Sequence, residues 1–172
     1  KEVTAGTVTG FGSVIVDGVK YDDGSATVSI ENDSASPKSG ALSELRLGMR
    51  VEVSSNNGTS ADMVVVGSEV IGRITSLAAD GFVVAGQTVK ITTTDPATVF
   101  EGVANLAGLA VNDLVEVHGT RDASGNIVAT RVERRDPTTT AFVRVVGTIA
   151  GLDTTAKRFT IGGLTVTYDA TT

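Results

Sequence analysis

Cysteine and tryptophan are absent from the 172 residues, and histidine occurs once, as His118. No disulfide framework, thiolate nucleophile or cysteine zinc site is therefore available. A single imidazole does not make a multi-histidine metal site. Proline is scarce, at three residues, so little interrupts strand formation. No run of 18 apolar residues occurs, which excludes a membrane-spanning helix. Basic residues are in the minority: 14 Lys and Arg face 20 Asp and Glu, for a net charge of −6. That balance disfavours general binding to nucleic acid or to anionic membranes. The lack of cysteine fits the cytoplasm and export alike. No signal peptide is visible, yet the chain opens on Lys1 rather than Met, so further sequence upstream is expected.

What the chain has in abundance is β-branched residues. Val, Thr and Ile make up 58 of the 172 positions, and 20 glycines supply turns. The composition predicts an all-β protein.

The chain also repeats itself. Three segments open on Gly6-Thr7-Val8, Gly72-Arg73-Ile74 and Gly147-Thr148-Ile149, each followed by a short apolar run and a glycine turn. Leu42, Leu45, Leu47, Val51 and Val53 match Leu106, Leu109, Val111, Val115 and Val117 at a constant offset of 64. The third repeat has no counterpart of this second landmark. In each repeat a first alternating strand, about 3–9 in repeat one, leads into a hairpin. Asp17-Gly18, Ala85-Gly86 and Gly162-Gly163 occupy its turn, where a primed turn needs positive φ. Leu42 and Leu45 are spaced for one helical turn, as are Leu106 and Leu109. Two strands follow, about 49–53 and 61–66 in the first repeat.

Three strands, a short helix and two strands is the order of an OB-type barrel. The expected architecture is therefore tandem small OB-like β-barrels at 1–68 and 69–136, then a linker and an incomplete third β repeat at 137–172. A small immunoglobulin-like sandwich is the alternative, but it gives no reason for the leucine-spaced turn. Little linker separates the first two repeats, which should pack rigidly. Arg134–Thr140 reads as a hinge.

The segments Gly10-Phe11-Gly12-Ser13-Val14-Ile15-Val16-Asp17-Gly18-Val19-Lys20-Tyr21, Gly86-Gln87-Thr88-Val89, Asp113-Leu114-Val115-Glu116-Val117 with Gly119 and Arg121-Asp122, and Ala129-Thr130-Arg131-Val132-Glu133 carry a resemblance. They are similar to the bacterial family catalogued as domain of unknown function 5666. The resemblance implies OB-like repeats in an exported protein, often with a lipoprotein signal, and hence a possible lipid anchor upstream of Lys1. It brings no catalytic residues.

Candidate sites are few. A phosphate loop needs a helix after it, and a strand follows Gly6, Gly10 and Gly12, so a bulge or turn is expected there. Asp122-Ala123-Ser124-Gly125-Asn126 and Asp22-Asp23-Gly24-Ser25 read as turns rather than calcium loops. Glu52 and Glu116 are equivalent, each between two valines, and alternation puts both on the solvent side. His118, equivalent to Ser54, reads as a surface residue at a strand end. Arg131, Arg134 and Arg135, diluted by Glu133 and Asp136, read as a solvated strand end. The aromatics Phe11, Tyr21, Phe82, Phe100, Phe142, Phe159 and Tyr168 include several at hairpin positions expected in the core. A stacking surface for single-stranded nucleic acid is therefore not expected. Asn32-Asp33-Ser34 and Asn57-Gly58-Thr59 read as turn chemistry.

These readings exclude a recognisable catalytic set and any cofactor or metal. The incomplete third repeat exposes strand edges, and Val145, Ile149, Phe159, Ile161, Leu164 and Val166 need cover. The expected function is a non-catalytic exported subunit of a cell-surface or extracellular assembly. Its partner is itself, as a homo-oligomer or a head-to-tail polymer held by strand complementation. A cell-envelope module binding a glycan, peptide or oligonucleotide is the alternative.

Overall fold

In the computed structural model the described residues are 1–31, 37–140 and 143–172. The protein is all-β; among the described residues the helical content is two single 3-10 turns, Leu42–Glu44 and Leu106–Gly108. They lie where the leucine spacing predicts a helical turn, and each ends at once because the next leucine returns to extended backbone.

The first sheet is built from β1 (Glu2–Gly10), β2 (Val14–Val16), β3 (Val19–Tyr21), β4 (Thr27–Ile30), β5 (Lys38–Gly40), β6 (Arg50–Ser55) and β7 (Met63–Val66). Its order is β3-β2-β1-β6-β7-β4-β5, with β4 parallel to β7. Strands β4 and β5 lie between the hairpin and the leucine-spaced turn, where the sequence pattern predicts no strand. The second sheet contains β8 (Val70–Ala78), β9 (Gly81–Val84), β10 (Gln87–Ile91), β11 (Val99–Glu101), β12 (Leu114–Arg121), β13 (Ile127–Arg134) and β14 (Arg144–Val145). Its strands β10-β9-β8-β12-β13 run in that order, and β13 returns to pair in parallel with β10, Ile127 opposite Val89. That pairing closes a five-stranded barrel. The third sheet is a meander of β15 (Ile149–Asp153), β16 (Arg158–Ile161) and β17 (Leu164–Thr167).

The hairpin turns follow from residue type. Asp17 and Gly18 have φ of +47° and +80°, and Ala85 and Gly86 have +47° and +69°, the two consecutive positive values of a type I′ turn. In the third hairpin it is Gly162, at +56°, that takes the left-handed region. The glycine-rich opening behaves as expected: register shifts between Val8 and Gly10, and Gly12 sits in a turn at φ +112°.

Two valine-rich cores result. Val8, Val14, Val53 and Val64 are among those that fill the first, and Ile74, Phe82, Val117 and Ile127 among those in the second. Strand alternation puts one side chain in two on the inner face, and β-branched residues pack there with little rotamer entropy to lose. Tyr21 and Phe82 are core residues, but Phe11 is exposed, because it projects from the turn at the tip of the β1–β2 hairpin, outside the packed face. Phe159 and Tyr168 are half-buried, with ring centroids 6.1 Å apart. Phe142 and Asn32-Asp33-Ser34 lie outside the described residues.

Phe82→Ala should lower stability by about 3–5 kcal/mol, the cost of an aromatic-sized cavity. Phe11→Ala should change it by less than about 0.5 kcal/mol. Denaturant titration of the two variants checks this contrast.

Candidate functional site

Strand β12 is buried on both faces. Val115 and Val117 point into its own barrel, while Glu116 and His118, on the other face, are fully buried as well. What covers them is the first sheet. The backbone N–H of Arg50 in β6 donates to His118 Nδ1 at 3.0 Å. A nitrogen that accepts a hydrogen bond carries no proton, so the ring is the Nε2–H tautomer. Nε2–H then donates to Glu116 Oε1 at 2.9 Å, and Arg135 Nη1 donates to Glu116 Oε2 at 2.6 Å. Both carboxylate oxygens are thus held.

The seam continues onto β13. Thr130 Oγ1 donates to the carbonyl of Gly48 at 2.7 Å, and Arg131 Nη1 to that of Leu47 at 3.1 Å. Arg131 also pairs with Glu101 on β11 and lies 3.7 Å from Glu133. Burial pulls its guanidinium below the ordinary arginine value, and Glu133 opposes that pull. Gly48, at φ +81°, lies so close to β13 that an added Cβ would sit 2.5 Å from the Thr130 carbonyl oxygen.

Three sequence readings are corrected here. Glu116 and His118 are not solvent-facing, and Arg131 is not a solvated strand end. Alternation assigns Glu116 to the outer face of its strand correctly, but the first sheet covers that face, and the same sheet covers His118 and Arg131. Of the three arginines, Arg134 alone keeps a side chain nearly half exposed, and Arg135 is committed to Glu116. Glu52, the equivalent of Glu116, is exposed as expected. The one available signal was the lack of repetition: the buried Glu-His pair stands where repeat one has Glu52 and Ser54.

The turn readings hold. Asp122 Oδ1 accepts the N–H groups of Ser124 and Asn126, and Oδ2 accepts the Asn126 side-chain amide. The Asn126 side chain, then its backbone and those of Ser124 and Gly125, hold the Asp122 carboxyl below the usual range. Asp22 Oδ1 accepts the Gly24 N–H, and Asn57 Oδ1 those of Thr59 and Ser60. Among the described residues no group of three His, Asp or Glu is placed to hold a metal ion.

The third sheet hangs from the second by its hairpin. Gly163 N–H donates to the Gly86 carbonyl at 2.8 Å, and Gln87 Nε2 to that of Ile161 at 2.7 Å. Arg121 orients this contact, donating to Gln87 Oε1 at 2.9 Å and to the Val146 carbonyl. Of the six side chains predicted to need cover, five belong to this sheet. Ile149 is exposed, and Phe159, Ile161, Leu164 and Val166 are half-buried. Val145 is placed elsewhere: it lies in β14, pairs with Val70 of β8 and packs on the second core. Among the described residues, no strand pairs with the outer edge of β15 or β17.

The family model described as a domain of unknown function (DUF5666) matches residues 71–133, the stretch that forms the closed barrel. No curated protein and no solved structure matches the chain. Among the described residues no helix is long and apolar enough to cross a membrane.

Glu116→Ala strips a buried arginine and a buried imidazole of their shared acceptor and should cost about 3–5 kcal/mol. Glu52→Ala, at the equivalent exposed position, should change stability by less than about 0.5 kcal/mol. Gly48→Ala should cost at least about 1–2 kcal/mol from its positive φ alone. Chemical denaturation of the three variants reads each effect.

Proposed function

We propose that the chain is a non-catalytic structural subunit that joins copies of itself by completing its third sheet with strands from a neighbouring copy. In this reading the first two sheets are tandem OB-like barrels and the third is the opening half of another. The pairing order of the second sheet supports it: β8, β9 and β10, a 3-10 turn, then β12 and β13 parallel to β10, is the OB arrangement, with the short β11 added before the turn and also paired with β13. The first sheet is similar, with β3 and β4 in the place of the third strand, β4 parallel to β7, and β5 added beside β4 at the edge.

One observation carries the reading. Aligning the Ala85-Gly86 and Gly162-Gly163 turns sets Phe159, Ile161 and Val166 opposite Phe82, Val84 and Val89. The second set is at most 2% exposed, because the closed barrel, with β12 and β13, covers it. The first set is only half-buried. A sheet with two open edges and an incompletely covered apolar face is an acceptor for added strands. When one end of a subunit accepts from another subunit, the contact is head-to-tail and generates rings or filaments. The full burial of Glu116 and His118 supports a non-catalytic role, since neither reaches a substrate. An exported, cell-surface or extracellular setting, with a lipid anchor upstream, rests on the family resemblance alone.

A second reading, a module that binds a glycan, peptide or oligonucleotide, has one feature on its side. A cleft of about 830 Å³ at one end of the second barrel is lined by Leu77, Ile91, Phe100, Leu106 and Leu109 among others. Its size suits a small ligand. The arginine cluster lends it no help, because Arg131 and Arg135 are engaged with carboxylates.

Light scattering at micromolar concentration should give a mass that is a multiple of 17.5 kDa and grows with concentration. Phe159→Asp combined with Val166→Asp should return it to a single chain. A wild-type mass of one chain at every concentration overturns the reading.

A further inference from the structure

We propose that His118 is a proton-operated latch between the first two sheets: the neutral ring closes the junction, and protonation at Nδ1 releases it. The motivating geometry is that both ring nitrogens are committed. Nε2–H donates to Glu116, and the Nδ1 lone pair receives the Arg50 N–H from the other sheet. A proton on Nδ1 turns this acceptor into a donor and sets two N–H groups against each other across the junction. The ring is fully buried, so it has no room to turn away.

The charged groups that face the ring are already engaged with one another. On its own strand stands Glu116, whose second oxygen already serves Arg135. Across the ladder, on β13, Arg131 lies opposite His118, and Glu133 lies opposite Glu116. Strand β11 contributes Glu101, which pairs with Arg131. From the first sheet come Arg50, whose side chain donates to Thr7 Oγ1, and Arg46, whose charge acts on Arg131. Each carboxylate near the ring thus already has an arginine. The Glu116 hydrogen bond uses Nε2–H, which both forms of the ring possess, so protonation adds no bond there and removes one at Arg50. A polar cleft of about 420 Å³, lined in part by Arg46, Glu101, Glu133 and Arg135, adjoins the partners of Glu116 and Arg131.

The sign follows. The closed junction holds the neutral ring, and the open junction takes up the proton. Closure therefore strengthens as the pH rises and weakens as it falls. Release frees the Arg50 amide and the orientation of the first sheet against the second.

His118 is the only histidine, so its ring nitrogen resonances need no assignment. The test follows them by NMR from about pH 8 to about pH 5, together with hydrogen exchange of the Arg50 amide corrected for intrinsic rate. At the alkaline end the Nε2–H tautomer is expected. Protection of the Arg50 amide should then fall by about tenfold or more, in step with protonation of the ring. His118→Asn offers an acceptor near the place of Nδ1 and does not titrate, so its Arg50 protection should stay level. An Nδ1–H tautomer at about pH 8, protection that ignores the titration, or a ring that stays neutral in a closed junction at about pH 5 overturns the proposal. So does the same acid loss in His118→Asn. If that variant does not fold, the wild-type correlation decides alone.

Discussion

Much of this molecule depends on one strand that is buried on both faces. In β12, Val115 and Val117 fill the closed barrel of the second sheet, while Glu116 and His118 meet the first sheet. An outward-facing strand residue ordinarily keeps its polar group in water. Here water is replaced by a fixed set of partners: Arg135 for one carboxylate oxygen, the imidazole for the other, and the Arg50 N–H for the imidazole. Buried charge is tolerable only when every polar atom finds a partner. The junction therefore has a defined geometry, and small residues elsewhere serve it. Gly48 lets the chain approach Thr130 as no residue with a Cβ could.

The contrast between the second and third sheets comes from closure rather than composition. Both present a phenylalanine, a β-branched residue and a glycine turn at matching places. In the second sheet the parallel pairing of β13 with β10 wraps the inner face, and Phe82 vanishes from the surface. The third sheet has three strands, and Phe159 finds partial shelter against Tyr168. Matching side chains thus form a core in one setting and a half-buried face in the other. That difference underlies the proposed assembly role. The second contact, from hairpin to hairpin through Gly86, Gln87 and Gly163, is narrower than the first and contains no buried ion pair among the described residues.

Local signals were legible to the extent that local physics decides them. Asp17-Gly18 and Ala85-Gly86 form turns because two consecutive positive φ values suit few other residues. The leucine spacing marks the 3-10 turns, and the valine alternation marks the inner faces. The insertion of β4 and β5 was not legible, since Thr27–Ile30 is a short run whose partner, β7, lies far along the chain. Phe11 shows the same limit: its position in the hairpin is local, but whether anything packs above the tip is not.

The residues alone thus determined the all-β class, the hairpin turns, and the inward sense of the alternating valines, because these follow from φ preferences and a period of two. Only the tertiary structure decided that the outward face of β12 is covered. Solvent exposure depends on what other part of the chain arrives at a surface, and Arg50 arrives there from 68 residues away. Glu116 and Glu52 share a sequence environment, a strand and a facing. One is sealed between two sheets and the other stands in water, because the first sheet packs over Glu116 and, among the described residues, no sheet packs over Glu52.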